Sequence, residues 1–220
     1  AAIEAGFHSY GISSHSTLPF ETRWSLSKGN VEAYLTEIKR LQEKYAGQIE
    51  LYVGMEIDYL NDDWGPAVEY FQRMPLDYRI GSVHLVTEEQ TGEIMDMDGK
   101  FEDFRENLRL IFHDDLKYLV EAYFKASSRM VELGGFDFVA HLDKISMNGS
   151  LMDSTLTEQE WYNRLLWDYM SLIAKKGVMV EVNTKAYTKK GMMFPNVKYF
   201  KWLKELNIPV MVNSDAHLPQ

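Results

Sequence analysis

Four of the chain's six histidines stand in short polar breaks at the ends of apolar runs: His15 in GISSH, His84 in GSVH, His141 in VAHLD and His217 in NSDAH. Carboxylates keep the same company. Glu56 and Asp58 close GMEID, Asp143 follows His141, Glu181 shares VEVN with Asn183, and Asp215 precedes His217 by two residues. In extended chain, residues two apart point the same way, so Asp215 and His217 aim at one spot. There is no cysteine, which excludes disulfides and thiolate ligands. Imidazoles and carboxylates without thiolates suit Zn²⁺, Fe or Mn²⁺. Six donors, from His15, Glu56, His84, His141, Asp215 and His217, exceed what one tetrahedral ion takes. Two to three divalent ions sharing a carboxylate would use them, and Glu56, with two oxygens, is the natural bridge. Without a cation, acids crowded into one dry cavity would repel, and one would stay protonated.

These residues need elements that bring them together. Apolar runs at Tyr10–Ile12, Ile49–Ile57, Tyr78–Val86, Phe136–Ala140, Val178–Val182 and Val210–Asn213 read as six strands. Between them lie helices. Asn30 caps one whose apolar face is Val31, Leu35, Ile38, Leu41 and Tyr45, stopped by Gly47. A short one covers Ala67–Met74, and two more cover Phe101–Phe112 and Leu116–Leu133. Thr157-Glu158-Gln159-Glu160 reads as a capping box opening a helix to Lys176, and Pro195–Leu206 is a last helix closed by Asn207. TGEIMDMDGK reads as a loop. Continuous apolar strands alternating with helices indicate an α/β domain with a parallel sheet covered on both faces. Six βα units suggest a barrel lacking its first strand; the rival is an open doubly wound sheet. No Gly-rich phosphate loop follows any strand, which weakens a nucleotide-binding version of the rival. In a parallel barrel the carboxyl ends of the strands converge on one face, where active sites are built.

The totals narrow the function. The chain has 220 residues, 45% apolar, enough for one core, and no composition break divides it. Its formal charge is −10 and no Lys/Arg cluster supplies a basic face, so no nucleic acid partner is expected. No apolar stretch approaches the ~20 residues of a membrane span. The chain opens AAIEAGFHSYGI without an initiator Met, and Ala1–Gly6 resembles the last turns of a helix. The single domain, residues 1–220, is therefore expected to be truncated at both ends. Histidines 8 and 113 read as structural, and Asp58 and Asp143 as residues that orient a ligating histidine. Glu181 is left out of the expected ligand set, its direction open between the helices and the barrel.

GISSHSTLPF, GMEIDY, DYRIGSVH, FDFVAHLDKI, VEVNT and VNSDAH, in this order and spacing, resemble the PHP (polymerase and histidinol phosphatase) superfamily, most closely its histidinol-phosphate phosphatase branch. The resemblance implies a distorted (β/α)7 barrel with a trinuclear metal site, hydrolysing L-histidinol phosphate to L-histidinol and phosphate in histidine biosynthesis. It implies that Glu56 bridges two metals, that His84 and His141 complete the second metal's shell, that Asp215 serves the first, and that His15 and His217 serve the third. The family opens with an H-x-H strand followed by an Asp; that strand is absent here, and Ser14 stands where an acid is usual. Catalysis is expected to rest on Glu56, His84, His141 and Asp215. Lys144, Arg23 and Asn183 are the expected substrate contacts, with Phe20 and Trp24 walling the pocket. The insert between Val86 and Leu133 is read as either a cover for the site or a homodimer contact, and the enzyme as cytoplasmic. Two alternatives stand beside this: a phosphodiesterase or exonuclease acting on small nucleotides, and a non-catalytic metal-binding structural module.

Overall fold

The computed structural model of the chain describes residues 1–217. Residues 1–7 make a turn rather than the end of a helix: Ala5 N–H bonds Ala1 O at 2.8 Å and Gly6 closes it at φ 82°. The elements then run β1 (Ser9–His15), α1 (Val31–Lys44), β2 (Glu50–Asp58), α2 (Glu69–Gln72), β3 (Tyr78–Ser82), β4 (Leu85–Thr87), β5 (Ile94–Asp96), α3 (Phe101–Ile111), α4 (Leu116–Leu133), β6 (Phe138–Val139), α5 (Ser146–Met152), α6 (Glu160–Lys176), β7 (Met179–Asn183), α7 (Tyr187–Lys190), α8 (Phe200–Glu205) and β8 (Val210–Asn213). Six strands form one parallel sheet in the order β1-β2-β3-β6-β7-β8. Its outer strands, β1 and β8, are not paired with each other among the described residues, so the sheet curls without closing.

The long helices bury one stripe each. Along α4, Leu119, Tyr123 and Ser127 recur at intervals of four, and along α6 so do Tyr162, Leu166 and Met170. The main core joins these stripes to Val139 and Val180 of the sheet. Truncating a side chain such as Phe124 to Ala would cost about 3–5 kcal/mol. Met55 and Ile57 of β2 pack outward with Val31 and Phe71 under α1 and α2. Glu56, between them in the alternation, therefore faces inward. The inner face holds a smaller cluster of Ile80, Phe138 and Ala140 with Tyr78, whose ring lies so close to Gly54 that a Cβ there would overlap it.

Three further expectations are corrected. The third strand stops at Ser82 rather than Val86, because the His84 backbone N–H turns away to the Asp58 carboxylate at 3.0 Å. The run continues instead as β4, which pairs antiparallel with β5 inside the segment expected to be loop. Glu88 ties this hairpin to α4. The Tyr118 hydroxyl, then the Thr91 and Gln90 N–H groups, hold its carboxyl at about 2. The capping box does not form: Leu156–Glu158 is a 3₁₀ turn and α6 starts at Glu160 without a side-chain cap. Its other end agrees with expectation, with Gly177 left-handed at φ 68°. No helix among the described residues is long and apolar enough to cross a membrane.

Candidate metal centre

The parallel register sets the site. His15, the last residue of β1, lies opposite Glu56 of β2. His84 follows β3, His141 follows β6, and Asp215 and His217 follow β8. His141 and Asp215 hold left-handed backbone at φ 44° and 45°. Such conformations cost energy in residues other than glycine and cluster at functional sites.

The side chains converge. Glu56 Oε1 lies 3.1 Å from His141 Nε2 and 3.6 Å from His84 Nε2, and Glu56 Oε2 lies 3.5 Å from His15 Nδ1. The two Nε2 atoms of His84 and His141 are 3.1 Å apart. Donor atoms of Glu56, His84 and His141 all fall within 4.8 Å of one another, and so do those of His15, Asp58 and His84. The His15 ring is 5.1 Å from that of His84 and 6.2 Å from that of His217, which links the strand ends across the mouth. Asp215 and His217 already hold a cation between them: Lys185 Nζ is 3.2 Å from Asp215 Oδ2 and 3.1 Å from His217 Nε2.

These residues fit divalent cations. His15 Nδ1 and Glu56 Oε1 are buried without a hydrogen bond of good geometry. Two imidazole nitrogens facing each other across a carboxylate oxygen suit a shared positive charge better than one another. Burial pushes the Glu56 carboxyl up, but His141, His84 and His15 outweigh it and hold it well below the usual range. Burial lowers His15 against the pull of Glu56, favouring the neutral ring that a metal requires. Burial also opposes protonation of His84, but Asp58 and then Glu56 overcome it and raise that ring to about 10.

The other expected residues divide. Trp24 and Lys144 line the cavity of about 200 Å³ at the mouth with His15, His84, Asp215 and His217. Arg23 is exposed and does not line it; its loop turns only Trp24 inward. Phe20 is exposed too. Asn183 is buried, but its amide is committed to Glu181 Oε2 at 3.0 Å and Asp215 Oδ2 at 3.2 Å. Asp58 orients His84 as expected. Asp143 does not orient a histidine: its Oδ2 accepts the Asn196 N–H at 3.0 Å and its Oδ1 has no partner. Glu181 faces the interior and not the helices, because Val180 and Val182 beside it take the outward positions. His8 and His113 are exposed and outside the cluster. Sequence reasoning missed Asp96 and Asp98, which hairpin β4–β5 carries to the mouth. The front of the long insert thus lines one side of the cavity.

The profile of the PHP domain family matches residues 1–185. A Deinococcus radiodurans protein assigned as a histidinol-phosphatase is 24% identical, covering 100% of this chain and 78% of its own length. The histidinol-phosphatase of Bacillus subtilis is 23% identical over 98% of this chain and 84% of its own. Two crystal structures share the fold. One, assigned as a histidinol phosphatase from Listeria monocytogenes, superposes with TM-score 0.81 at 23% identity, covering 98% of this chain and 86% of its own. The other, histidinol phosphate phosphatase from Lactococcus lactis in complex with zinc, L-histidinol and phosphate, gives TM-score 0.71 at 20% identity, covering 100% and 78%.

Proposed function

The chain belongs to the PHP domain family, and on that premise we propose that it is a metal-dependent phosphatase hydrolysing L-histidinol phosphate to L-histidinol and phosphate. One observation carries the reading: Glu56 of β2, His84 just after β3 and His141 just after β6 bring their donor atoms within 4.8 Å of one another in a buried site. The histidinol-phosphatase names of the relatives, and the ligands of the Lactococcus enzyme, supply the substrate. The complement proposed is two to three divalent ions, Zn, Fe or Mn, held by His15, Glu56, His84, His141, Asp215 and His217. Bound there, they would make hydroxide available near neutral pH and neutralise charge on the phosphoryl oxygens.

The chain's own residues do the rest. Asp58, bonded to His84 Nδ1 at 2.8 Å, presents the other ring nitrogen to the cluster. Asn183 steadies Asp215, and Lys144 offers its ammonium to a phosphoryl oxygen. Trp24, edge-on to His15 at 5.1 Å, keeps water from that side of the imidazoles. The full fold proposed is a (β/α)7 barrel of which these residues supply six strands, with β1 and β8 as its free edges. A cytoplasmic location belongs to the same proposal. The test is phosphate release from L-histidinol phosphate by zinc- or manganese-loaded protein, lost on chelation and restored by metal. Absence of release from this substrate in fully loaded protein refutes the assignment.

A further inference from the structure

Two carboxylates two residues apart stand at the open end of hairpin β4–β5, Asp96 opposite Leu85 as the last residue of β5 and Asp98 just beyond it, and each grips a different wall of the mouth. Asp96 Oδ2 accepts the Trp24 indole N–H at 3.0 Å, in the segment after β1. Asp98 Oδ1 lies 3.1 Å from Lys144 Nζ, in the segment after β6. This open end is pinned. Met97 N–H bonds His84 O at 3.0 Å, Asp96 Oδ1 accepts the Asp98 N–H at 3.0 Å, and the Asn148 amide donates to Met97 O and Gly99 O, each at 3.1 Å.

Lys144 is only 8% exposed, and its ammonium stacks over the Phe194 ring at 5.1 Å. A buried ammonium with three donors and one carboxylate partner is costly unless something else accepts from it. Lys144 lines the cavity between His141 and Asp98, so its remaining donors have that cavity to serve. An anion seated over the histidines is the acceptor this geometry suits. From this we infer that Asp98 is a positioning residue: it fixes the Lys144 ammonium at the place where a phosphoryl oxygen of the substrate binds. The inference rests on the phosphatase reading above. It adds that hairpin β4–β5, and not only the strand ends, sets the affinity for phosphate.

The test uses zinc-loaded protein, L-histidinol phosphate as substrate and inorganic phosphate as product inhibitor. Loss of a charge-assisted contact corresponds to a change on the order of tenfold. D98N is expected to raise both KM and the phosphate inhibition constant by that factor with zinc content unchanged, and D98E to restore both. In a K144Q background, D98N is expected to add nothing, because its effect runs through the ammonium. Unchanged constants in D98N at full zinc occupancy overturn the inference. So does a D98N penalty as large in K144Q as in the wild type. Should D98N alone fail to fold, K144Q against D98N/K144Q, in which no buried ammonium is left alone, still tests the route: constants unchanged by D98N there support the inference, and a D98N penalty there overturns it. Failure of the wild type to hydrolyse L-histidinol phosphate strikes the functional reading instead, and phosphate binding by calorimetry then still separates wild type from D98N.

Discussion

Asp58 Oδ1 lies 2.8 Å from His84 Nδ1 and also accepts the His84 backbone N–H at 3.0 Å. One fully buried oxygen thus fixes both the ring and the chain of this histidine. With Nδ1 donating to Asp58, Nε2 is the nitrogen left to face Glu56 and His141. The same oxygen ends β3, so the orientation of His84 and the termination of its strand have one cause.

Removing the charge of Asp58 while keeping its shape should weaken metal binding without abolishing it. D58N retains an oxygen acceptor for the His84 ring. Its zinc affinity, measured by chelator competition, should fall about 10–100-fold. An affinity equal to wild type would mean that His84 needs no such partner.

Removing a central donor should be far more severe. E56A deletes the carboxylate that meets His15, His84 and His141, and H141A deletes its nearest partner at 3.1 Å. Both variants should lose bound metal and all detectable phosphate release. Either variant turning over substrate at more than about a thousandth of the wild-type rate would contradict a metal-based mechanism, given what clustered metals contribute.

Metal binding should also release protons. In the metal-free protein Asp58 and Glu56 overcome burial and keep His84 protonated up to about pH 10. A metal at its Nε2 must displace that proton. Affinity should therefore rise with pH toward 10, and calorimetry in two buffers of different ionisation enthalpy should report the release. Binding that is independent of pH between roughly 6 and 9, the range below that value, would contradict it.

Asp143 makes a prediction about stability. Burial raises its carboxyl to about 7, against the opposing Asn196 N–H, from an ordinary 3.8. Between those values the folded protein holds a proton that the unfolded chain has lost, so stability falls as pH rises and the penalty is complete above 7. D143N keeps an acceptor for Asn196 and removes the ionisation. It should melt higher than wild type above pH 7, by an amount bounded at roughly 4 kcal/mol, and match it in acid. A variant less stable than wild type at high pH would show that the charge is needed.

Much of this was legible in the sequence because the sheet is parallel. Buried strands read as apolar runs, and their polar ends placed His15, Glu56, His84 and His141 before any geometry was known. The failures have local causes. Val83, Leu85 and Val86 extend the apolar run past Ser82, and only the distant Asp58 carboxylate breaks it. Strands β4 and β5 have three residues each, too few for alternation to register, so Asp96 and Asp98 were hidden in apparent loop. Glu181 was within reach: it shares its face with Asn183, two residues on, and the period of a strand should have placed the two together. Arg23 points away from the cavity: sequence proximity to a site says nothing about which way a loop turns its side chains.

The most direct measurement is a zinc-edge anomalous difference map from crystals of the zinc-loaded protein. The account predicts density between Glu56, His84 and His141, within about 2.0–2.2 Å of their donor atoms, with further density beside Asp215 and His217. Zinc bound only elsewhere, with these imidazoles still facing one another across an empty carboxylate, would contradict it.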